Sequence, residues 1–389
     1  MKILHIVLSC FYVEGLGYQE NLLPKYHKLL GNEVSVLTSV FPNSGLGDPQ
    51  YRKCREYENK DSVRVIKLDR NEFHIFGKEI RLNRYKGVYE ALERLQPDII
   101  FIHGLTSFAD LEIAKYLRKH RDVIAYADQH TDYYNAGTVT WKSRLILKLL
   151  WRPMIRRLQP FIKKFWGTTP WRCDYLEKVY RLPKEKIDLL VMGADDRKID
   201  FLHREDIRRR ICRELRVSEA DFIIVSGGRI DRAKNIHLLM QTVQELNLSN
   251  LHLIVFGDPL PDTEKEFRIF EKCERIHAIG WIPAGQVYDY FLASDLAVFP
   301  GTHSVLWEQA CACGIPCFFK DWEGMHHVDV GGNCIFLKEG TKEELKSQIT
   351  EILEQPALHR AMKKAAVENG IKAFSYRRIA QRAIEEAQE

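Results

Sequence analysis

The chain alternates short apolar runs with amphipathic stretches at helical spacing, breaks off, and then does the same again. Apolar runs lie near 3–8, 33–38, 63–68, 98–103, 123–127, 164–167 and 187–191, with helical patterns at 19–30, 88–95, 109–120, 142–158 and 171–180. A strand covered on both faces reads as a continuous apolar run, and crossover helices between such strands impose parallel pairing. A polar stretch rich in Arg and Asp, 192–219, interrupts the pattern and reads as a linker. Strand-like runs then resume at 222–226, 251–256, 276–279, 296–299, 316–319 and 334–336, and two more helices are expected at 343–353 and 376–388. A chain of 389 residues exceeds one ordinary core. The expected fold class is therefore α/β, with two doubly wound, Rossmann-like domains and a cleft between them as the place for a ligand.

Bulk properties exclude several functions. A net charge of +5 is well short of a nucleic-acid binder's, so no nucleic-acid partner is expected. No apolar run reaches the ~20 residues of a membrane span. The run at 1–9 flows into a helix and reads as a first strand rather than a signal peptide, so a cytoplasmic location is expected. Nine cysteines, an odd number with no CxxC pair, read as small buried residues rather than metal ligands or a disulfide framework.

Two segments carry chemistry. The run 223–234, Ile-Ile-Val-Ser-Gly-Gly-Arg-Ile-Asp-Arg-Ala-Lys, is a strand, two glycines, and then Arg229 and Lys234. Gly228 lets a ligand approach the backbone, and the two cations suit a diphosphate. After the strand at 296–299 comes a polar turn in which Ser304 is placed to cap a helix carrying Glu308 in its first turn. A helix amino terminus favours phosphate oxygens, and a carboxylate one turn in suits a pair of ribose hydroxyls.

Gly228-Arg229 with Lys234, followed by Glu308-Gln309-Ala310-x-Ala312-x-Gly314-x-Pro316, resembles the signature of retaining glycosyltransferase family 4, a GT-B group. Gly15-Leu16-Gly17 resembles that family's glycine loop, which faces the donor, and residues 97–104 resemble its "PDxxHxHG" strand with Phe101 in place of the first histidine. Asp195 sits in a segment similar to "NGVD", with Met192 where Asn is usual, and Phe374-Ser375-Tyr376 resembles "FSW". The resemblance implies an acceptor-side domain over 1–192, to which a last helix at about 374–389 returns, and a donor domain over 193–373. It further implies that Arg229 and Lys234 neutralise the donor diphosphate, that Glu308 holds the ribose, and that His130 lies beside the donor sugar. The base is expected at backbone groups near Trp281 and Ile282, while Asp128, Asp132 and His103 are candidate acceptor or supporting residues.

The chain departs from the family's pattern in one informative way. Counting back from Gly314, the family's second glutamate falls on Gln309, with Glu308 one place early, so either Gln309 or Glu308 meets the ribose. The first glutamate is missing, because its position is Gly301 or Pro300; His303 or Thr302 is the candidate to read the sugar instead. The resemblance implies a retaining transferase that moves a sugar from a UDP- or GDP-type donor to a glycan or lipid-linked acceptor, in bacterial surface polysaccharide (capsule or O-antigen) synthesis. No DxD-type motif stands in a convincing place, so no metal and no cofactor are expected. Between Trp141 and Lys164 eight Lys or Arg and no acidic residue are interleaved with Trp141, Leu145, Leu149 and Trp151. That composition suits either a crossover helix with a basic outer face or peripheral contact with anionic lipid. Two other readings share the architecture: a sugar-nucleotide 2-epimerase, and a non-catalytic partner subunit that binds nucleotide sugar. A nicotinamide dehydrogenase is disfavoured, since Gly15-x-Gly17 is followed by Glu20 where a third glycine belongs.

Overall fold

The computed structural model describes residues 1–10, 12–39, 54–75, 78–133 and 141–385. The chain forms two units, Met1–Met192 with Ile379–Glu389, and Gly193–Arg378. The first unit contains β1 (Lys2–Ile6), β2 (Glu33–Ser39), β3 (Glu56–Glu58), β4 (Arg64–Leu68), the hairpin β5 (Arg70–Ile75) and β6 (Lys78–Tyr85), β7 (Ile99–His103), β8 (Ile124–Gln129), β9 (Ile162–Gly167) and β10 (Ile187–Leu189). Eight of these make one sheet in the order β10-β9-β8-β7-β1-β2-β4-β3, parallel except for the edge strand β3. Helices α1 (Gln19–Leu29), α2 (Val88–Leu95), α3 (Ala109–Lys119), α4 (Trp141–Ile146), α5 (Arg152–Leu158) and α6 (Pro170–Lys178) supply the crossovers. One core packs Ile100 and Ile102 of β7 against Ile113 and Leu117 of α3 and Ile155 and Leu158 of α5.

The second unit holds α7 (Arg204–Leu215), β11 (Phe222–Gly227), α8 (Ile236–Leu246), β12 (Leu251–Phe256), α9 (Glu264–Phe270), β13 (Ile276–Gly280), α10 (Val287–Ala293), β14 (Leu296–Phe299), α11 (Leu306–Ala312), β15 (Cys317–Lys320), β16 (Cys334–Leu337), α12 (Lys342–Glu354) and α13 (Pro356–Phe374), with α14 (Tyr376–Ala383) following. Its six strands run parallel in the order β13-β12-β11-β14-β15-β16. Successive crossovers proceed outward from β11 on one side and from β14 on the other. The loops after those two strands therefore part company at the sheet's centre, the place where doubly wound sheets leave room for a ligand. The expected class, two doubly wound α/β units, is the one observed.

Three local expectations are corrected. The stretch 192–219 is not a linker, since α7 fills much of it. Its charge hid an apolar edge, Ile207, Ile211 and Cys212, that is buried, while Arg208 satisfies the carbonyls of Ala293, Glu219 and Asp221 and the Asp295 carboxylate. The single helix expected at 142–158 is α4, a π-helical turn over Leu147–Trp151, and then α5. Pro153, which has no N–H to give to the preceding turn, sits at the start of α5, directly after the widened turn. The nineteen-residue α13 was not expected, because its apolar positions are largely alanines and give no clear stripe. The far end of the helix expected at 376–388 lies outside the described residues. All nine cysteines are free thiols.

Candidate functional site

The strand β11 ends in Gly227-Gly228, and each glycine is required. A Cβ on Gly227 would strike the Phe256 ring, and Gly228 has a φ of +106° with its Cβ direction 2.9 Å from Leu306 Cδ1. The turn beyond is organised by Asp231. Its Oδ1 accepts the Lys234 backbone N–H at 3.1 Å, and its Oδ2 accepts Arg229 Nε at 2.8 Å and pairs with Nη2 at 2.7 Å. One carboxylate thus shapes the turn and aims a guanidinium that is 72% exposed. Lys234 Nζ donates to the carbonyls of Thr302 at 2.6 Å and His303 at 2.9 Å. An ammonium has three N–H bonds, so one is left for a phosphate oxygen. Burial pushes the Lys234 pKa down to about 8, with Arg229 adding to the shift and Asp231 opposing it.

The loop after β14 meets this turn backbone to backbone. Thr302 N–H donates to Ala233 O at 3.0 Å, Asn235 Nδ2 donates to Pro300 O at 3.2 Å, and a Cβ on Gly301 would drive into the Ala233 carbonyl and the Lys234 backbone. At Gly301, one of the two positions where the family's first glutamate would fall, no side chain fits. Arg229, Lys234 and the segment around Ser304 therefore converge within one unit.

The expected cap at Ser304 is corrected. The helix begins at Leu306, Val305 already has helical dihedrals at the N-cap position without a side-chain cap bond, and Ser304 contributes its carbonyl to Trp307 N–H at 3.0 Å. With seven residues, α11 has only a small dipole to offer. Glu308 is wholly buried rather than open to solvent. Its Oε1 accepts His303 Nε2 and His327 Nε2, each at 2.9 Å, while Oε2 is buried without a hydrogen-bond partner. Burial by itself would raise its pKa, but the two imidazoles more than reverse this and hold it well below the usual carboxylate range. His303 is therefore turned onto Glu308, edge-on to Trp307 with centroids 5.1 Å apart. Gln309 is also buried. Trp281, 69% exposed, and the half-buried Ile282 follow β13 at the same carboxyl edge of the sheet.

In the first unit the loops after β1 and β7 flank the corresponding central gap. Gly15 has a φ of +84° with open space at its Cβ direction, and Gly17 is half-buried. His103 and Asp128 are fully buried, with His103 Nδ1 2.8 Å from Asp128 Oδ2, to which Gln19 Nε2 also donates at 3.1 Å. His130, at the end of β8, places Nε2 3.5 Å from Asp128 Oδ1 and 3.9 Å from Glu20 Oε1. Against the effect of burial, those two carboxylates raise its pKa above the ordinary value. Asp132 is held by Arg172 Nε at 3.2 Å. His327 and Asp231 were missed in the sequence, although an Asp two residues after one cation and three before the next is a turn signal.

Two triads, His303–Glu308–His327 and His103–Asp128–His130, bring their ligand atoms within 4.8 Å of one another. In the first, Glu308 Oε1 faces both imidazole Nε2 atoms; in the second, Asp128 Oδ2 faces His103 Nδ1, while Oδ1 lies 3.5 Å from His130 Nε2. No helix among the described residues is long and apolar enough to cross a membrane.

Residues 207–369 match the family described as "Glycosyl transferases group 1". None of the curated proteins matches the chain. Among solved structures, a glycosyltransferase from Rickettsia africae is similar over 100% of this chain and 97% of its own, at 16% identity and a TM-score of 0.73. HepE from Anabaena, in complex with UDP, is similar over 100% of both chains at 15% identity and a TM-score of 0.71. UDP-GlcNAc 2-epimerase from Neisseria meningitidis, bound to UDP-GlcNAc, is similar over 99% and 100% at 12% identity and a TM-score of 0.60. The fold that these likenesses show is GT-B.

Proposed function

We propose that this chain is a retaining, metal-independent glycosyltransferase of family 4 type that takes its sugar from a nucleoside diphosphate of the UDP kind. The observation that carries the reading is the meeting of Arg229, Lys234 and the 300–308 loop at the central gap of the second unit's sheet. Breaking the bond to the leaving diphosphate builds negative charge there, and fixed cations stabilise it without reorganising. Attack from the leaving-group face, with a phosphate oxygen taking the acceptor's proton, gives retention. His130, in the first unit, is the candidate for the sugar-side role, and Trp281 with Ile282 for the base. UDP is favoured over GDP because the Anabaena neighbour was solved with UDP.

The test is a thermal-shift series with UDP, GDP and their sugars. A ligand at a hundred times its dissociation constant adds ~2.7 kcal/mol to stability. Protection by UDP, with release of UDP from its sugar that depends on an acceptor, is expected. Conversion of the UDP-sugar to its 2-epimer without any acceptor would favour the epimerase reading, and no protection by any nucleoside diphosphate would overturn both.

For the acceptor we propose a lipid-linked glycan of bacterial surface polysaccharide synthesis, met at an anionic membrane surface by the α4–α5 segment. Trp141, Leu145, Ile146 and Leu149 are exposed by 71%, 45%, 50% and 65%, while Leu147, Met154, Ile155 and Leu158 face the core. A crossover helix needs only the second set. The first lies among exposed Arg144, Lys148, Arg156 and Arg157, the arrangement of an interfacial helix; the side chain of Lys142 is outside the described residues. Each cation near an anionic surface contributes about 1 kcal/mol. Reversing these four charges should abolish sedimentation with phosphatidylserine vesicles while leaving UDP protection intact, and undiminished sedimentation would refute the assignment.

A further inference from the structure

The first unit buries a chain of three histidines in contact with one another. His27 Nε2 lies 2.9 Å from the Ala380 carbonyl, His27 Nδ1 2.9 Å from His5 Nε2, His5 Nδ1 3.0 Å from His103 Nε2, and His103 Nδ1 2.8 Å from Asp128 Oδ2. All three side chains are fully buried, and each of their six ring nitrogens already faces a protein partner.

Proton counting decides the charge of this chain. Both ends, a carbonyl oxygen and a carboxylate oxygen, are acceptors only. Four hydrogen bonds therefore need four protons, and three neutral imidazoles bring three. If His27 donates to Ala380, its Nδ1 accepts from His5, whose Nδ1 accepts from His103, and the His103 lone pair is then set against the carboxylate. Reversing all three tautomers moves the same conflict to Ala380.

We propose that the His5–His27–His103 relay holds one excess proton, that it resides on His103 as an imidazolium, and that His103 is thereby a positioning residue that fixes the Asp128 carboxylate orienting His130. His103 alone touches a carboxylate, at 2.8 Å, whereas His27 faces a neutral carbonyl and His5 only the other two rings, so neither of those is the host. In keeping with this, burial with the neighbouring histidines lowers the pKa of His5, and burial with His103 lowers that of His27 to about 4 against the pull of the Ala380 carbonyl. Asp128 also accepts from Gln19 and faces His130, which keeps it ionised; its pKa lies well below the usual range because His103 and His130 outweigh its burial. The other groups facing the site are Cys10, whose thiol donates to the His103 carbonyl at 3.6 Å, Phe101 beside the His103 ring, and Glu20 and Arg172, which act on His130. The role toward His130 rests on the transferase reading; the proton count does not.

Substituting His27→Phe is a sharp test, because it removes the far acceptor contact. Two rings and two hydrogen bonds remain, and two neutral imidazoles satisfy them. The experiment is NMR of the full chain labelled with nitrogen-15 histidine at about pH 8, well above the ordinary histidine value of ~6.5. In the unsubstituted protein both His103 nitrogens should be protonated, and in the variant only one. The His130 midpoint should rise in the variant, since a cation beside its partner carboxylate has gone. A neutral His103 in the unsubstituted chain, paired with a protonated Asp128, overturns the proposal whether or not the variant folds. An unchanged imidazolium in the variant overturns the relay, and an unmoved His130 midpoint overturns the positioning role. None of these signals depends on UDP binding, so failure here is distinct from failure of the transferase reading.

Discussion

Replacing Lys234 by alanine is expected to slow sugar transfer roughly 10²- to 10³-fold, about 2.7–4 kcal/mol of transition-state stabilisation. The substitution also frees the carbonyls of Thr302 and His303, so stability must be followed in parallel by chemical denaturation. The pH dependence separates the two effects. With its pKa pushed down to about 8, folded Lys234 loses its proton well before the unfolded chain does at ~10.4. Between those values the unfolded state binds more protons, so this group makes stability rise with pH. Ligand binding moves the other way. A diphosphate favours the ammonium, hence UDP affinity should fall as pH climbs above about 8 while the fold itself gains. Isothermal titration with UDP between pH 7 and 9.5 reads this directly, and the fall should vanish in Lys234→Ala. Affinity that stays level across the range, or turnover unchanged in the variant, would remove Lys234 from the site.

How far the sequence reveals this site depends on how local each cause is. Arg229, Lys234 and the glycines before them declare themselves because a strand, a tight turn and two cations follow one another directly in the chain. The second doubly wound sheet was legible for the same reason: β11, β12 and β14 are largely apolar runs. Helix α7 was not, since its buried Ile207 and Ile211 are outnumbered by charges whose partners, such as the Asp295 carboxylate, lie far along the chain. The same holds for the histidines. His5, His27 and His103 look like three unrelated residues until β1, α1 and β7 bring their rings together. Gly301 is the clearest instance. It is one of the two positions where a glutamate reads as lost, and only the contact with the Ala233 backbone shows that no side chain could be accommodated there.

Removing the Glu308 carboxylate should be the most damaging single change to the second unit. Glu308→Ala leaves the Nε2–H groups of His303 and His327 without their acceptor in a dry interior, and buried donors left so cost about 1–3 kcal/mol each. A loss of about 2–5 kcal/mol in denaturant unfolding is expected. Glu308→Gln is the discriminating partner. Its carbonyl oxygen can take both ring N–H groups in the place of Oε1, so stability near neutral pH should fall by less than in Glu308→Ala, the loss being the part that the negative charge contributes. What changes is Oε2, the buried oxygen without a partner, which becomes an amide donor. If that oxygen accepts a ribose hydroxyl, UDP should bind roughly tenfold or more weakly to Glu308→Gln, in line with the 1.5–3 kcal/mol of a hydrogen bond to a charged group. The acid limb supplies a second reading. A carboxyl whose folded pKa is depressed stabilises the fold above its unfolded value of ~4.3, and that contribution is lost as pH falls. Stability should therefore decline more steeply below about pH 5 in the unsubstituted protein than in Glu308→Gln, which has no proton to take up. Equal acid limbs would mean that the carboxylate is not held by His303 and His327. Unweakened UDP binding in a stable Glu308→Gln would confine Glu308 to orienting those two rings and leave Gln309 as the residue facing the ribose.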